Sequence, residues 1–377
     1  MNALEPPPPG KPIDCLLIAD DLTGACDAAV HFAMRGLRPA SVLVARGTTG
    51  AGARVLALST ESRDLPPPEI RRALAAAAAD FPADSAARVF KKIDSTLRGN
   101  TGLEIAAALE RFDCDAAVVC PAFPRMHRVV EGGFLRVTSE AEFAPIDVAR
   151  RLQLQSGHAC AHSLPDGAAV LLLAGARMVS VDANCELDLD RIAAAILPLG
   201  RRILWAGSAG LACALARRLG DRCAPQPPPA RSGAALFCIG SEHAVTLAQQ
   251  SALLAGRPCT LLHADTATRE AIGDALGRGE HVILRIPRGL VPVERARELL
   301  AGVPAAALVL SGGDTASLVC RAAGVRSIEL CDEIVTGIPR GILRGGEFDG
   351  VWVATKSGGF GRSDALVQVA DYFACPY

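Results

Sequence analysis

Aromatic residues are scarce in this chain, 4% of 377 residues against 50% hydrophobic residues in all, so its interior must be built of Ala, Leu, Val and Ile. Long Lys/Arg blocks are also missing and the formal charge is −1, which excludes the usual nucleic-acid binder. No apolar run approaches the roughly 18 residues of a spanning helix, and the N-terminus, MNALEPPPPGK, lacks the basic and apolar regions of a signal peptide. Its prolines read as a disordered or extended tail over residues 1–12. The 13 cysteines are odd in number and form no C-x-x-C pair; Cys15, Cys120, Cys238 and Cys320 sit inside apolar segments. That is the usage of small buried hydrophobes in a reducing compartment, so a cytoplasmic enzyme without a disulfide frame or zinc site is expected. Neither a Walker A loop nor a G-x-G-x-x-G after a strand occurs, so any nucleotide must be held by other rules.

What the chain does have is a repeated device: a continuous apolar run of the kind buried on both faces, ending in a hydroxyl residue and glycines. ALVLSGGDT (307–315) and VWVATKSGGFG (351–361) both show it, and ALFCIGSEH (235–243) is a third, shorter version. Glycines let backbone N–H groups approach an anion, aided by the positive end of a following helix. Ser241, Ser311, Thr315, Lys356 and Ser357 add side-chain donors at these turns.

The N-terminal half uses strand ends differently. IDCLLIA (13–19) breaks into DDLTGACDAA, placing Asp20, Asp21, Thr23 and Gly24 where open α/β sheets bind ligands, with Asp27 one turn further on. Capping of the helix explains one of these residues and leaves the second carboxylate unexplained. A strand at 88–93 runs into KKIDSTLRGNTG, which supplies Lys91, Lys92, Asp94, Ser95 and Arg98. Alternation along an edge strand predicts that Lys91 or Lys92 points to solvent. After a strand at 115–120, the loop PAFPRMHRVV is stiffened by two prolines and carries Arg125, His127 and Arg128; Arg128 suits a carboxylate, and His127 reads more readily as a surface residue. The run 168–174 reads as a strand.

DRCAPQPPPARSG is aperiodic and proline-rich, and marks a linker. The organisation expected is a first domain at 13–222, a linker at 223–232 and a second domain at 233–377. Both are α/β, each with a largely parallel sheet flanked by helices.

Taken in order, IADDLTGACDAA, KKIDSTLRGNTG, CPAFP with Arg128 and Gly133 beyond it, WAGSAGLA, IGS at 239–241, SGGDTA at 311–316 and ATKSGGFG resemble the four-carbon acid sugar kinase family, which includes threonate, erythronate and 3-oxo-tetronate kinases. The resemblance runs from about residue 13 to 373. It implies an N-terminal domain for the acid sugar, a C-terminal domain for ATP, and phosphorylation of the terminal hydroxyl with Mg²⁺. Matching positions imply ATP contacts at Ser241, at Gly312, Gly313, Asp314 and Thr315, and at Gly358, beside Lys356 and Ser357. Cys26 stands where the pattern has asparagine, Val129 and Val130 where it has threonines, and the segment after Arg136 is shortened; all lie in or near the expected sugar site.

For such a reaction Asp21 or Asp94 is the expected base, with Lys92 assisting; Asp20, Thr23, Asp27, Ser95, Arg98 and Arg128 are the expected substrate contacts. Two other readings compete: a non-catalytic sugar-acid and nucleotide-binding protein of the same fold, and a different α/β enzyme holding another phosphate ligand. The apolar composition, with mean hydropathy +0.28, also suits a homodimer.

Overall fold

Apolar runs bounded by glycine and polar residues become the interior strands of two sheets, and the alanine-rich segments between them become helices. The computed structural model describes residues 13–45, 47, 52–220 and 233–374. The proline-rich tail and the 223–232 linker lie outside the described residues. The chain divides into two compact units: an N-terminal one of residues 1–40 and 49–224, and a C-terminal one of residues 41–48 and 225–377.

The N-terminal unit holds seven parallel strands. Across the sheet they run Val55–Ser59, Cys15–Ala19, Val89–Lys92, Ile203–Gly207, Ala116–Cys120, Met178–Val181 and Ala161–Ser163. Cys15–Ala19 is flanked by Val55–Ser59 on one side and by Val89–Lys92 on the other. The strand order reverses there, which opens a crevice at the carboxyl ends. Helix Leu22–Ala33 is buried along its whole length, which its run of small residues permits. A separate antiparallel sheet, Arg128–Glu131, Phe134–Val137 and Ile146–Asp147, grows from the loop after Cys120.

The run 168–174, expected as a strand, is a helix, Ala168–Leu173. Only Ala168 and Leu172, four apart, are buried, while Val170 and Leu173 are exposed. An apolar run does not by itself separate a strand from a short helix, and a sequence of Ala and Leu favours the helix.

In the C-terminal unit five parallel strands run Cys259–His263, His281–Arg285, Ala235–Ile239, Ala307–Ser311 and Trp352–Lys356. An antiparallel hairpin, Ser327–Val335 with Ile338–Arg344, extends the sheet beyond Trp352–Lys356, and residues 41–43 pair with its outer strand. Ala235–Ile239 again marks a reversal of order. Its core joins Phe237, Ile239, Val309, Trp352 and Ala354 to Leu366, Val369 and Phe373 of helix Ala365–Ala374.

Candidate active site

Each unit presents polar groups at its own switch point. In the N-terminal unit, Asp20 and Asp21 follow the strand Cys15–Ala19, and Lys92 and Asp94 follow its neighbour. Asp21 caps the helix, accepting from the Gly24 amide and, at 3.2 Å, from Thr23 Oγ1. Capping is therefore real but is only part of its role. Gly24 is required by a close approach: a Cβ there would stand 2.8 Å from Asp21 Oδ1 and 3.2 Å from Lys92 Nζ.

Arg63, from the STESRD stretch after Val55–Ser59, organises the three carboxylates. Its Nε and Nη2 donate to Asp20 at 2.7 and 2.9 Å, its Nη1 pairs with Asp21, and Nη2 lies 3.8 Å from Asp94 Oδ2. Burial would lower the Arg63 pKa, but Asp21, Asp20 and Asp94 together hold it well above its ordinary value. Burial pushes the Asp20 carboxyl up and Arg63 more than reverses this, with Lys91 and Lys92 helping, so Asp20 stays ionised below the usual carboxylate range. Asp94 behaves likewise: Arg63 and Arg98 overcome burial, and Thr96 donates to it through backbone and hydroxyl.

The expectation that Lys91 or Lys92 faces solvent is corrected by the structure. Both are buried, because Val89–Lys92 lies inside the sheet between two parallel neighbours. Lys91 Nζ pairs with Glu104 Oε2 at 2.6 Å, and Glu104 Oε1 accepts from Ser62 Oγ at 2.6 Å, which in turn meets Thr60 Oγ1 at 2.6 Å. Lys92 Nζ donates to Ile93 O at 3.1 Å and stands beside Gly24 and Asp21.

Backbone strain gathers around the same groups. Four described non-glycine residues have positive φ; three of them, Glu61, Leu97 and His127, lie within two or three residues of Arg63, Asp94 or Arg98, and Arg128. Gly99, at φ +76°, packs so closely on the Arg63 backbone that a Cβ would stand 2.6 Å from its carbonyl oxygen.

Ser95 and Asp27 are buried on these elements. Arg128 is buried at the start of the antiparallel sheet, its Nη1 bonded to Met126 O and its Nη2 3.9 Å from Glu140. Burial lowers its pKa and Glu140 opposes that. His127 is exposed in a left-handed conformation, and Arg98 reaches out from Asp94 with 61% of its side chain exposed. Cys26 and Val130 are fully buried, apolar replacements close to Asp27 and Arg128 in sequence.

In the C-terminal unit the three glycine turns meet. Gly240 N donates to Ser311 O at 3.2 Å, Gly312 N to Lys356 O at 3.0 Å, and Thr246 Oγ1 to Gly358 O at 2.7 Å. A Cβ on Gly240 would stand 2.0 Å from Thr315 Oγ1, and one on Gly358 2.3 Å from Ser241 Oγ, so neither position admits a side chain. Gly312 has φ +103° and starts helix Gly313–Ala322 without a side-chain cap, leaving the first N–H groups, from Gly313 to Thr315, for a ligand. Ser311 Oγ is buried and unbonded.

Lys356 lies beneath the turn, not at its rim. Its Nζ donates to Thr246 Oγ1, Ser357 O and Gly358 O at 3.1, 3.1 and 2.9 Å, and burial lowers its pKa to about 7. Asp314 is half exposed and paired with Arg288, and Arg285 Nη1 holds Ser241 O at 3.2 Å.

Sequence reasoning missed Arg63, Glu104 and Arg285. The first lies at a strand end, a usable signal; Glu104 lies inside a helix that reads as ordinary.

Comparison with known proteins agrees with this division. A family model described as a sugar-binding N-terminal domain matches residues 15–215, and one described as a nucleotide-binding C-terminal domain matches residues 242–366. A D-threonate kinase of Bordetella bronchiseptica is 34% identical, covering 94% of this chain and 96% of the relative. A D-erythronate kinase of Heliobacterium modesticaldum is 30% identical over 95% and 96% of the two chains. A crystal structure of a Haemophilus influenzae protein shares the fold, with TM-score 0.69, 21% identity, and coverage of 96% of this chain and 100% of that one. The protein is thus a carbohydrate kinase, and it belongs to the four-carbon acid sugar kinase family.

Proposed function

We propose that this chain transfers the γ-phosphoryl group of ATP to the terminal hydroxyl of a four-carbon acid sugar of threonate, erythronate or 3-oxo-tetronate type, giving the 4-phosphate. The observation that carries the reading is the cluster of Asp20, Asp21 and Asp94 around Arg63, at the switch point of the unit that matches a sugar-binding domain.

Phosphoryl transfer asks the protein for alignment, charge stabilisation and a base for the attacking hydroxyl. Of the three carboxylates, Asp20 is tied to Arg63 by two hydrogen bonds, and Asp94 accepts from Thr96 and Arg98, so both have lost much of their affinity for a proton. Asp21, which follows the strand Cys15–Ala19, caps the next helix and pairs with Arg63 Nη1, is assigned as the base for the hydroxyl proton. Lys92 supplies a cation beside it, and Arg98 and Arg128 suit the substrate carboxylate, with Thr23, Asp27 and Ser95 available to its hydroxyls.

The turns at Ser241, at 312–315 and at 357–358 are assigned to the nucleotide phosphates, through backbone N–H groups and the hydroxyls of Ser241, Thr315 and Ser357. Mg²⁺, when bound, neutralises phosphate charge. Asp314 is the carboxylate on these turns, and its partial exposure fits a hydrated ion carried in on the nucleotide. Assigning the protein to the cytoplasm rests on its cysteines, all free among the described residues, and on the absence there of any helix long and apolar enough to cross a membrane.

The test is ATP consumption, followed as ADP release, across D- and L-threonate, D- and L-erythronate and their oxo relatives with Mg²⁺. Turnover with one member and a 4-phosphate product is expected. Protein that binds ATP but turns over none of the panel would overturn the assignment.

A further inference from the structure

The N-terminal unit's sheet has a second feature at its opposite edge, where the strands begin. A cavity of about 150 Å³ opens there, lined by Arg88, Arg201, Arg202, Cys114 and Trp205 over an apolar wall that includes Ile196. The register pairs Leu204 with Val89, so Arg88 and Arg202, each just ahead of its strand, leave neighbouring strands one residue apart.

The charges around this cavity do not balance. The Arg88 carbonyl accepts from Leu16 N at 2.9 Å, but its side chain makes no hydrogen bond or ion pair among the described residues. Arg202 Nε donates to Phe112 O at 2.8 Å and its guanidinium interacts with the Cys114 thiol, while its Nη2 is buried without a hydrogen-bond partner. Arg201 donates to Leu172 O, and its Nε lies 3.8 Å from Asp115, whose side chain is 48% exposed. Asp115 also accepts from the Arg202 backbone amide at 2.9 Å. Asp113 is exposed and pairs with none of the three. Three guanidinium groups therefore line a cavity at which one half-exposed carboxylate pairs with Arg201 alone.

We propose that this cavity is an anion-binding site for a small phosphate or carboxylate. Its volume falls below the roughly 300 Å³ at which pockets for drug-sized ligands begin, so a nucleotide is excluded and a compact anion fits. The unpaired Arg88 side chain, beside Arg201 and Arg202 around one space, suits the oxygens of such an ion. The site lies at the far end of Val89–Lys92 from Lys92, about 13 Å along the strand at 3.3 Å per residue, with Asp94 beyond it. An occupant would therefore bear on the strand that carries those residues without touching them.

Trp205 provides the readout. The chain has two tryptophans, so Trp352→Phe leaves Trp205 as the single reporter in the cavity wall. Trp205 fluorescence of the full-length W352F protein would be followed during titration with inorganic phosphate, and separately with succinate, at constant ionic strength. A saturable change is expected, weakened about tenfold or more by Arg88→Ala and by Arg202→Lys, while Arg88→Ala keeps its acid sugar kinase turnover. Tighter binding of phosphate points to a phosphorylated ligand, and tighter binding of succinate to a carboxylate. No saturable change with either ion, or the same change in Arg88→Ala and Arg202→Lys, overturns the proposal; Arg88→Ala keeps the test valid if loss of the Arg202 bond to Phe112 perturbs folding.

Discussion

Arg63 donates to both oxygens of Asp20, at 2.7 and 2.9 Å, from a position 43 residues further along the chain. The same guanidinium pairs through Nη1 with Asp21, so one cation ties two adjacent aspartates together. Four predictions follow from this and from the turns of the C-terminal unit.

Asp21→Asn should lower kcat about 10²-fold or more, the range for loss of a general base, with a much smaller change in KM for the acid sugar. Steady-state kinetics checks this, and an unaltered kcat would remove Asp21 from that role.

Arg63→Met should cost about 3 kcal/mol or more of stability, because three buried carboxylates lose their shared cation. Arg63→Lys should recover part of the stability but little activity, since an ammonium cannot reproduce the paired bonds to Asp20. Urea denaturation measured alongside kcat would separate the two effects.

The pH dependence of stability has two signed components. Asp20 and Asp94 have folded-state pKa values below their ordinary value, so their contribution is present above about pH 4 and is lost as pH falls through the acid range. Asp94→Asn should flatten that acid limb. Lys356 is also depressed, from 10.5 to about 7, but it is a base: between these values the unfolded chain binds the extra proton, so stability rises with pH across the interval. Lys356→Met should remove that slope in denaturation curves taken from pH 7 to pH 10, provided the turn it supports still folds.

Gly240→Ala and Gly358→Ala should each raise KM for ATP about tenfold or more, equivalent to about 1.4 kcal/mol. The added methyl would meet Thr315 Oγ1 in the first case and Ser241 Oγ in the second, displacing a turn assigned to phosphate. Gly256→Ala, where a Cβ meets nothing within 4 Å, is the matched control. Equal KM values in all three would detach these turns from the nucleotide.

The sequence by itself determined the strands that end in Asp20, Asp94, Ser241, Ser311 and Lys356, because apolar runs and glycine punctuation act over a few residues and survive in any tertiary setting. It also determined the ordered motifs by which the family is known. It misread 168–174, where an apolar run of mostly Ala and Leu has no periodicity to separate a strand from a short helix, and it placed a lysine in solvent because it could not show that Val89–Lys92 has neighbours on both sides. Only the tertiary structure decided which charges are spent. Arg63 on Asp20 and Asp21, and Glu104 on Lys91, are pairings between separate segments that no local pattern reveals. The same holds for the unpaired cations at the opposite edge of the sheet: Arg88 and Arg202 are unremarkable in sequence and become neighbours only through strand register.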